Sequence, residues 1–440
     1  MNLESLDALR SGALAGAREL KLSCGLTEFP DELFGLAATL EVLDLSGNAL
    51  TRLPDDMGRF TKLEAVFCSG NRFERLPPSL GDCPALSQVG FRATGMVELP
   101  AEALPPRLRW LTLTDNRLIS LPAALGERPA LQKLMLAGNR LDRLPDSLQG
   151  AQRLELVRLA ANRFEVLPPW LTDLPSLAWL AWAGNPLDRD MRPEHAPTVS
   201  WSSIQVEGLL GEGASGEVHR VLWRRGDEAK PVALKLFKGA MTSDGLPERE
   251  MAACLAAGAH PHLTGALGQL IDHPEAVQGL AMPLLPAHWR VLAKPPSRES
   301  CSRDVYDPVL RLDEETALRI ASGVGLAAAH LHGRGLLHGD LYGHNVLWDG
   351  GAGEAVLSDF GAASFLPEHG SEAYRRLEVR AWGLLLGELL DLCDADASQL
   401  AAWRGLQEAC TQPDAAARPS VAEALDALHP SPLESHHVRS

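Results

Sequence analysis

Apolar residues in the first half of the chain recur on two scales. Over short stretches they alternate as Leu-x-Leu, and the whole pattern returns about every 23 residues. Its clearest copy is Leu40–Leu43–Leu45–Asn48–Leu50. Later copies end on Asn71, Thr94, Asn116, Asn139, Asn162 and Asn185, at spacings of 23, 23, 22, 23, 23 and 23 residues. Leu-Pro follows the first six, at Leu53-Pro54, Leu76-Pro77, Leu99-Pro100, Leu121-Pro122, Leu144-Pro145 and Leu167-Pro168. A shorter copy, Leu20–Leu22–Leu26 with Phe29-Pro30, opens the series. Alternation predicts short strands whose leucines share one face. No single copy can bury that face, so the copies must stack into a quasi-one-dimensional array.

The string L-x-x-L-x-L-x-x-N-x-L resembles the leucine-rich-repeat family over residues 17–190. The resemblance implies an α/β solenoid of about eight repeats, placed at residues 1–187. The Asn side chain can satisfy backbone groups at the bend after each strand. Where Cys24 and Thr94 replace it, weaker or different bonding is expected. Strand alternation also turns a second set of side chains outward onto the concave sheet. It includes Gln88, Lys133 and Leu156, together with Phe67, Arg92, Trp110, Met135, Arg158 and Trp179. The last six have the aromatic, Met and Arg character of a protein-binding face, so a protein partner or substrate is expected there. The alternative is that Trp110 and Trp179 only shield neighbouring strands. Nothing in this half forms a catalytic constellation.

Repeat character stops after Asn185-Pro186-Leu187, and residues 188–203 read as a linker. From Ile204 the pattern becomes alternating apolar strands around a glycine turn, Gly211-Glu212-Gly213-Ala-Ser-Gly216-Glu-Val218. Seventeen residues after Val218 comes Lys235, closing the apolar run Val232-Ala233-Leu234. A buried ammonium needs a partner, and the helix predicted from Pro247 offers Glu250 first and Glu248 second. Downstream lies His338-Gly339-Asp340-Leu341-Tyr342-Gly343-His344-Asn345, with Asp359-Phe360-Gly361 beginning fourteen residues beyond Asn345.

These motifs, in this order, resemble the protein kinase superfamily over residues 204–430, with 431–440 as a tail. The resemblance implies an α+β two-lobed fold that binds ATP and Mg²⁺. It assigns Gly211, Glu212, Gly213, Gly216 and Val218 to a loop over the phosphates, and Lys235, paired with Glu250, to the α/β-phosphates. Ala233 and Leu347 would sandwich adenine, while Met282 and Leu285 would bond it through their backbone. Asp340 becomes the catalytic base, and Asn345 and Asp359 the metal ligands. Three departures stand out. Gly339 replaces the arginine usual before the aspartate, which removes the partner of a phosphorylated activation loop. Tyr342 stands where Ser/Thr kinases place Lys, and His344 could supply positive charge instead. Only sixteen residues separate Gly361 from Glu378, where the next helix is aligned, so little chain remains for a peptide platform.

Charge sharpens the reading. The chain carries a formal charge of −16, and residues 201–440 hold 20 basic against 32 acidic groups. Such a surface repels nucleic acid and anionic lipid, so neither is an expected partner. Seven cysteines without C-x-x-C spacing, no secretory signal and no spanning apolar run point to a cytoplasmic protein. The expectation is an ATP-dependent protein kinase, Ser/Thr-directed, whose repeats recruit partners or substrates. A nucleotide-binding pseudokinase scaffold and a small-molecule kinase, suggested by the H-G-D loop, remain as alternatives.

Overall fold

The computed structural model describes residues 3–188, 196–213, 215–238, 241–242 and 244–429. The chain forms two compact units. One is Met1–Asp188 with Met241–Leu246, and the other is Arg189–Ala240 with Pro247–Ser440.

The first unit begins with a short helix, α1 (Leu3–Arg10), and continues as strands three residues long. They are β1 (Glu19–Lys21), β2 (Val42–Asp44), β3 (Ala65–Phe67), β4 (Gln88–Gly90), β5 (Trp110–Thr112), β6 (Lys133–Met135), β7 (Leu156–Arg158) and β8 (Trp179–Ala181). Among the described residues they make an eight-stranded parallel sheet in sequence order. The register aligns Leu43, Val66, Val89, Leu111, Leu134, Val157 and Leu180 as one apolar row. All seven are buried, which is the burial that no lone repeat could achieve. Opposite the sheet, 3₁₀ turns such as Pro78–Asp82, Asp146–Gly150 and Pro169–Asp173 start at the Leu-Pro pairs. Proline suits the start of such a turn because its φ is preset and its missing N–H would be unbonded there.

The asparagines tie the stack together. Asn71 Nδ2 donates to the carbonyls of Leu45 and Cys68, and its Oδ1 accepts from the Leu50 N–H. Each therefore bonds across two repeats. At the Asn-less position, the Thr94 hydroxyl donates to Asn116 Oδ1 at 2.9 Å, which is the different bonding expected there. On the concave side, Gly90 leaves room for the Phe67 ring, since a Cβ there would lie 2.7 Å from Phe67 Cδ1. Phe67 then meets Trp110 edge-on at 6.5 Å, and the Lys133 ammonium sits over the Trp110 ring. Met135, Arg158 and Trp179 occupy the strand positions that alternate with the core row, as expected, but they are not open to solvent. All three are buried, Arg158 being only 1% exposed, while Phe67, Arg92 and Trp110 keep partial exposure.

The second unit has two lobes. Its mixed sheet has the order β10-β11-β12-β14-β13-β9. These strands are β9 (Thr198–Ser200), β10 (Ile204–Glu212), β11 (Gly216–Arg225), β12 (Glu228–Phe237), β13 (Gly268–Ile271) and β14 (Gly279–Pro283), with α2 (Pro247–Ala257) between β12 and β13. Part of the expected linker is thus structural: β9 pairs in parallel with β13, and Trp201–Ser203 forms a 3₁₀ turn. Residues 189–195 of that linker and the tail 431–440 lie outside the described residues.

The other lobe carries the short strands β15 (Arg290–Val291), β16 (Leu336–Leu337), β17 (Val346–Trp348), β18 (Ala355–Leu357) and β19 (Ser364–Phe365). Its helices are α3 (Glu314–Gly333), α4 (Ser371–Asp391), α5 (Ala397–Cys410) and α6 (Val421–Leu428). Gly325 of α3 permits close packing, because a Cβ there would meet Leu425 at 2.7 Å and Trp382 Nε1 at 3.0 Å. Helix α4 starts at Ser371, seven residues before Glu378, so only residues 362–370 separate Gly361 from it.

Candidate active site

A cavity of about 610 Å³ lies in the second unit. Antiparallel pairing of β12 with β14 sets Ala233 beside Met282 and Lys235 beside Leu280, which brings Met282 and Lys235 to one wall. Gly211, Glu212, Gly213 and Val218 line the cavity with Ala233, Met282, Leu285, Leu347 and Asp359. Gly216 does not. It sits in β11 against Phe237, where an added Cβ would lie 2.3 Å from the Leu236 carbonyl oxygen. In the structure this glycine serves close strand approach. Ala214, in the same turn, is outside the described residues.

Lys235 and Glu250 both line the cavity and form an ion pair. Their side chains are 12% and 6% exposed, so little water competes for either. Burial pulls the Lys235 pKa down, but the carboxylates of Glu250 and Asp359 outweigh it and hold the ammonium charged. The expected pair thus exists, and Glu250 rather than Glu248 makes it. A buried Lys without this carboxylate would be costly.

Asp340 and Asn345 do not line this cavity but meet each other. Asn345 Nδ2 donates to Asp340 Oδ2 at 2.8 Å and to the Asp340 carbonyl at 2.9 Å. That fixes the carboxylate and leaves the Asn345 Oδ1 as the oxygen available to a cation. Asp359 has φ of +62°, a left-handed conformation tolerated by Asp and often kept where function requires it. Its Oδ1 accepts from the Gly361 N–H at 3.0 Å. Among the described residues no cluster of three or more His, Cys, Asp or Glu forms a metal cage by itself. One amide oxygen plus one carboxylate is the donor set of an ion that keeps waters and phosphate oxygens as its other ligands, as Mg²⁺ does.

Three supporting contacts were not visible as motifs. His338, fully buried, accepts the Asp340 N–H on Nδ1 at 3.3 Å, so its Nε2 carries the proton donated to the Ser358 carbonyl. The Gly339 N–H donates to Glu378 Oε1 at 2.8 Å, with φ of +73° at the glycine. Glu378, buried in α4, also pairs with His332 Nε2 at 2.8 Å. Burial raises the Glu378 pKa, but His332, His338 and the Gly339 N–H bring it below the ordinary value. A backbone hydrogen bond to α4 therefore anchors the loop at Gly339, the position that the resembled family usually gives to arginine. Lastly, His344 Nδ1 meets Asp304 Oδ1 at 2.7 Å, and the His344 N–H donates to Asp304 Oδ2. Burial lowers the His344 pKa, and Asp304, Asp340 and Asp359 raise it by more. Tyr342 packs on this imidazole at 4.9 Å. The sequence flagged His344 as a candidate cation, but nothing in the spacing pointed to Asp304, forty residues earlier.

Residues 204–381 match the family described as protein kinase domain, and residues 106–164 and 39–60 match leucine rich repeat families. No curated protein matches the chain. The chain therefore joins a leucine-rich-repeat domain to a protein kinase domain. Among the described residues, no helix is long and apolar enough to cross a membrane.

Proposed function

We propose that the protein is an ATP-dependent phosphotransferase acting on serine or threonine hydroxyls of proteins. The observation that carries the reading is the convergence of Lys235, Glu250 and Asp359 on one cavity that Gly211, Gly213, Met282 and Leu347 also line. In this reading Lys235 holds the α/β-phosphates and the glycine turn approaches them closely. Ala233 and Leu347 flank adenine, and the backbone of Met282 and Leu285 reads its edge. Asn345 and Asp359 would hold Mg²⁺, which supplies charge neutralisation to the phosphates. The acceptor oxygen forms its bond to the γ-phosphorus as the bond to the ADP oxygen breaks, and the acceptor proton passes to Asp340. The repeats are proposed to recruit the protein partner, and the cytoplasm is the proposed compartment.

A scaffold reading draws on the nine-residue stretch 362–370 before α4, which leaves little platform for a peptide. Incubating the full chain with labelled ATP and Mg²⁺, beside Asp340→Ala, decides between the two. Asp340-dependent labelling of protein supports the kinase. Nucleotide binding without transfer supports the scaffold, and transfer to small alcohols alone supports a small-molecule kinase.

A further inference from the structure

The concave face of the repeats already holds a peptide, and the chain itself supplies it. Segment Met241–Leu246 belongs to the same compact unit as the solenoid, although it lies in sequence between β12 and α2. Its central contact is an ion pair between Arg158 Nε and Asp244 Oδ1 at 2.8 Å. The Arg158 side chain is only 2% exposed, so it meets this carboxylate largely out of water. A second arginine, Arg92, donates to the Met241 carbonyl at 3.1 Å. Two glycines make room for the apolar ends of the segment. A Cβ on Gly138 would lie 3.0 Å from Met241 Cε, and one on Gly184 would lie 3.2 Å from Leu246 Cδ1. Thr242 is buried and holds the turn closed, its Oγ1 accepting from the Asp244 and Gly245 N–H groups at 3.2 and 3.1 Å. Arg92 and Gly184 are four repeats apart, so the segment is gripped along much of the array.

We infer that this face is a recognition site for an acidic peptide with an apolar residue on each side of the acid, occupied here by the chain's own segment. The chemistry is specific. A buried guanidinium requires a carboxylate, and a glycine-made recess takes an unbranched or γ-branched apolar end but no added bulk beneath it. Because the segment is tethered at both ends, its effective concentration is high and a free competitor starts at a disadvantage. Leu246 is followed directly by Pro247, the first residue of α2, which carries Glu250. Docking of the segment therefore restrains the start of the helix that supplies the partner of Lys235. A protein with a matching acidic segment would displace Met241–Leu246 and release that restraint. Only this last consequence for catalysis rests on the kinase reading; the binding site does not.

The test uses the full chain and a labelled synthetic peptide of residues 239–247, with binding followed by fluorescence anisotropy. Asp244→Ala frees the face without touching the solenoid core. The peptide should bind this variant at least about tenfold more tightly than wild type, because the tethered competitor has lost its anchor. Arg158→Met, added to Asp244→Ala, should abolish the gain, and a peptide with Asn in place of the aspartate should bind no variant well. Amide exchange in residues 247–257 should accelerate in Asp244→Ala. Equal peptide affinity for wild type and Asp244→Ala would overturn the inference, as would undiminished affinity with Arg158→Met. If unfolding temperature shows that Arg158→Met has unfolded the solenoid, the Asn-substituted peptide on Asp244→Ala distinguishes the same two outcomes. None of these assays depends on phosphoryl transfer, so a catalytically silent chain would still reveal whether the peptide site exists.

Discussion

Two asparagines, one in each compact unit, put the same amide to different uses. Asn139 donates to the carbonyls of Leu113 and Leu136 and accepts from the Leu118 N–H, all within 3.0 Å. Its hydrogen-bonding capacity is consumed by backbone. Asn345 is equally buried, yet its Nδ2 bonds turn to Asp340, one to the carboxylate and one to the carbonyl. That arrangement orients a charged group and keeps an oxygen in reserve. The solenoid uses polar groups to close its own fold, whereas on the proposed function the kinase domain keeps them for a ligand. The difference separates stability from chemistry in a way that substitutions can probe.

The sharpest break should come at Asp340. Asp340→Ala is expected to lose about 10²–10⁴-fold in phosphoryl transfer, with the thermal unfolding midpoint nearly unchanged, measured by initial rates and calorimetry. Lys235→Met should blur the comparison, since it touches ligand and fold together. Removing the ammonium strands Glu250 in a buried site, at a cost of about 3–5 kcal/mol in denaturant unfolding. Adding Glu250→Leu should recover much of that stability and none of the transfer activity. Asn139→Ala belongs wholly to the other side. The Leu113 and Leu136 carbonyls each keep a bond from Asn116 or Asn162, so the loss falls on the Leu118 N–H and should cost about 1–3 kcal/mol. The nucleotide affinity of this variant should match wild type by calorimetric titration.

The smallest effect is a pH dependence. Glu388 accepts a hydrogen bond from Tyr306 at 2.9 Å, and its pKa is raised to about 7 by burial and then by Asp304. Asp391 adds to the rise, and Tyr306 and Arg303 oppose it. A carboxyl whose folded pKa lies above its unfolded value stabilises fully below the unfolded value of 4.5, and this contribution is lost as pH rises through about 7. Stability should therefore fall between pH 4.5 and about 7 by at most ~1.4 kcal/mol per pH unit and level off above. Glu388→Gln should flatten that slope; an unchanged slope in urea titrations would remove Glu388 as its source.

How much of this was legible in sequence follows from how far apart the partners lie. The solenoid repeats one local rule, so Leu43, Asn48 and their equivalents announce strand, bend and core together. The kinase motifs are also local, and Lys235, Asp340, Asn345 and Asp359 stand out singly. What sequence could not supply is pairing at a distance. Glu378 reaches Gly339 across 39 residues, Asp304 reaches His344 across 40, and Arg158 reaches Asp244 across 86. The last of these also explains why the concave face was misread. Alternation correctly turned Arg158 out of the solenoid core, but alternation carries no information on a segment arriving from elsewhere in the chain. Nor does a glycine motif say which of its glycines pack against a neighbouring strand, as Gly216 does.

The nearest-neighbour bonding of the repeats bears on the order in which the molecule is built. Each strand from β1 to β8 pairs with the strand before or after it in sequence, so the array needs no later residue to close its sheet. Chains emerge at about 5–20 residues per second, and domains made first fold first. Between Asp188 and Met241 the ribosome therefore works for roughly 3–10 s, far longer than the microseconds to milliseconds typical of folds rich in local contacts. The sheet of the kinase domain cannot close in that interval, because β12 must wait for β14 and β9 for β13. Met241–Leu246 thus leaves the ribosome with its receptor already assembled, and Arg158 can take Asp244 before β14 has emerged to close the other sheet.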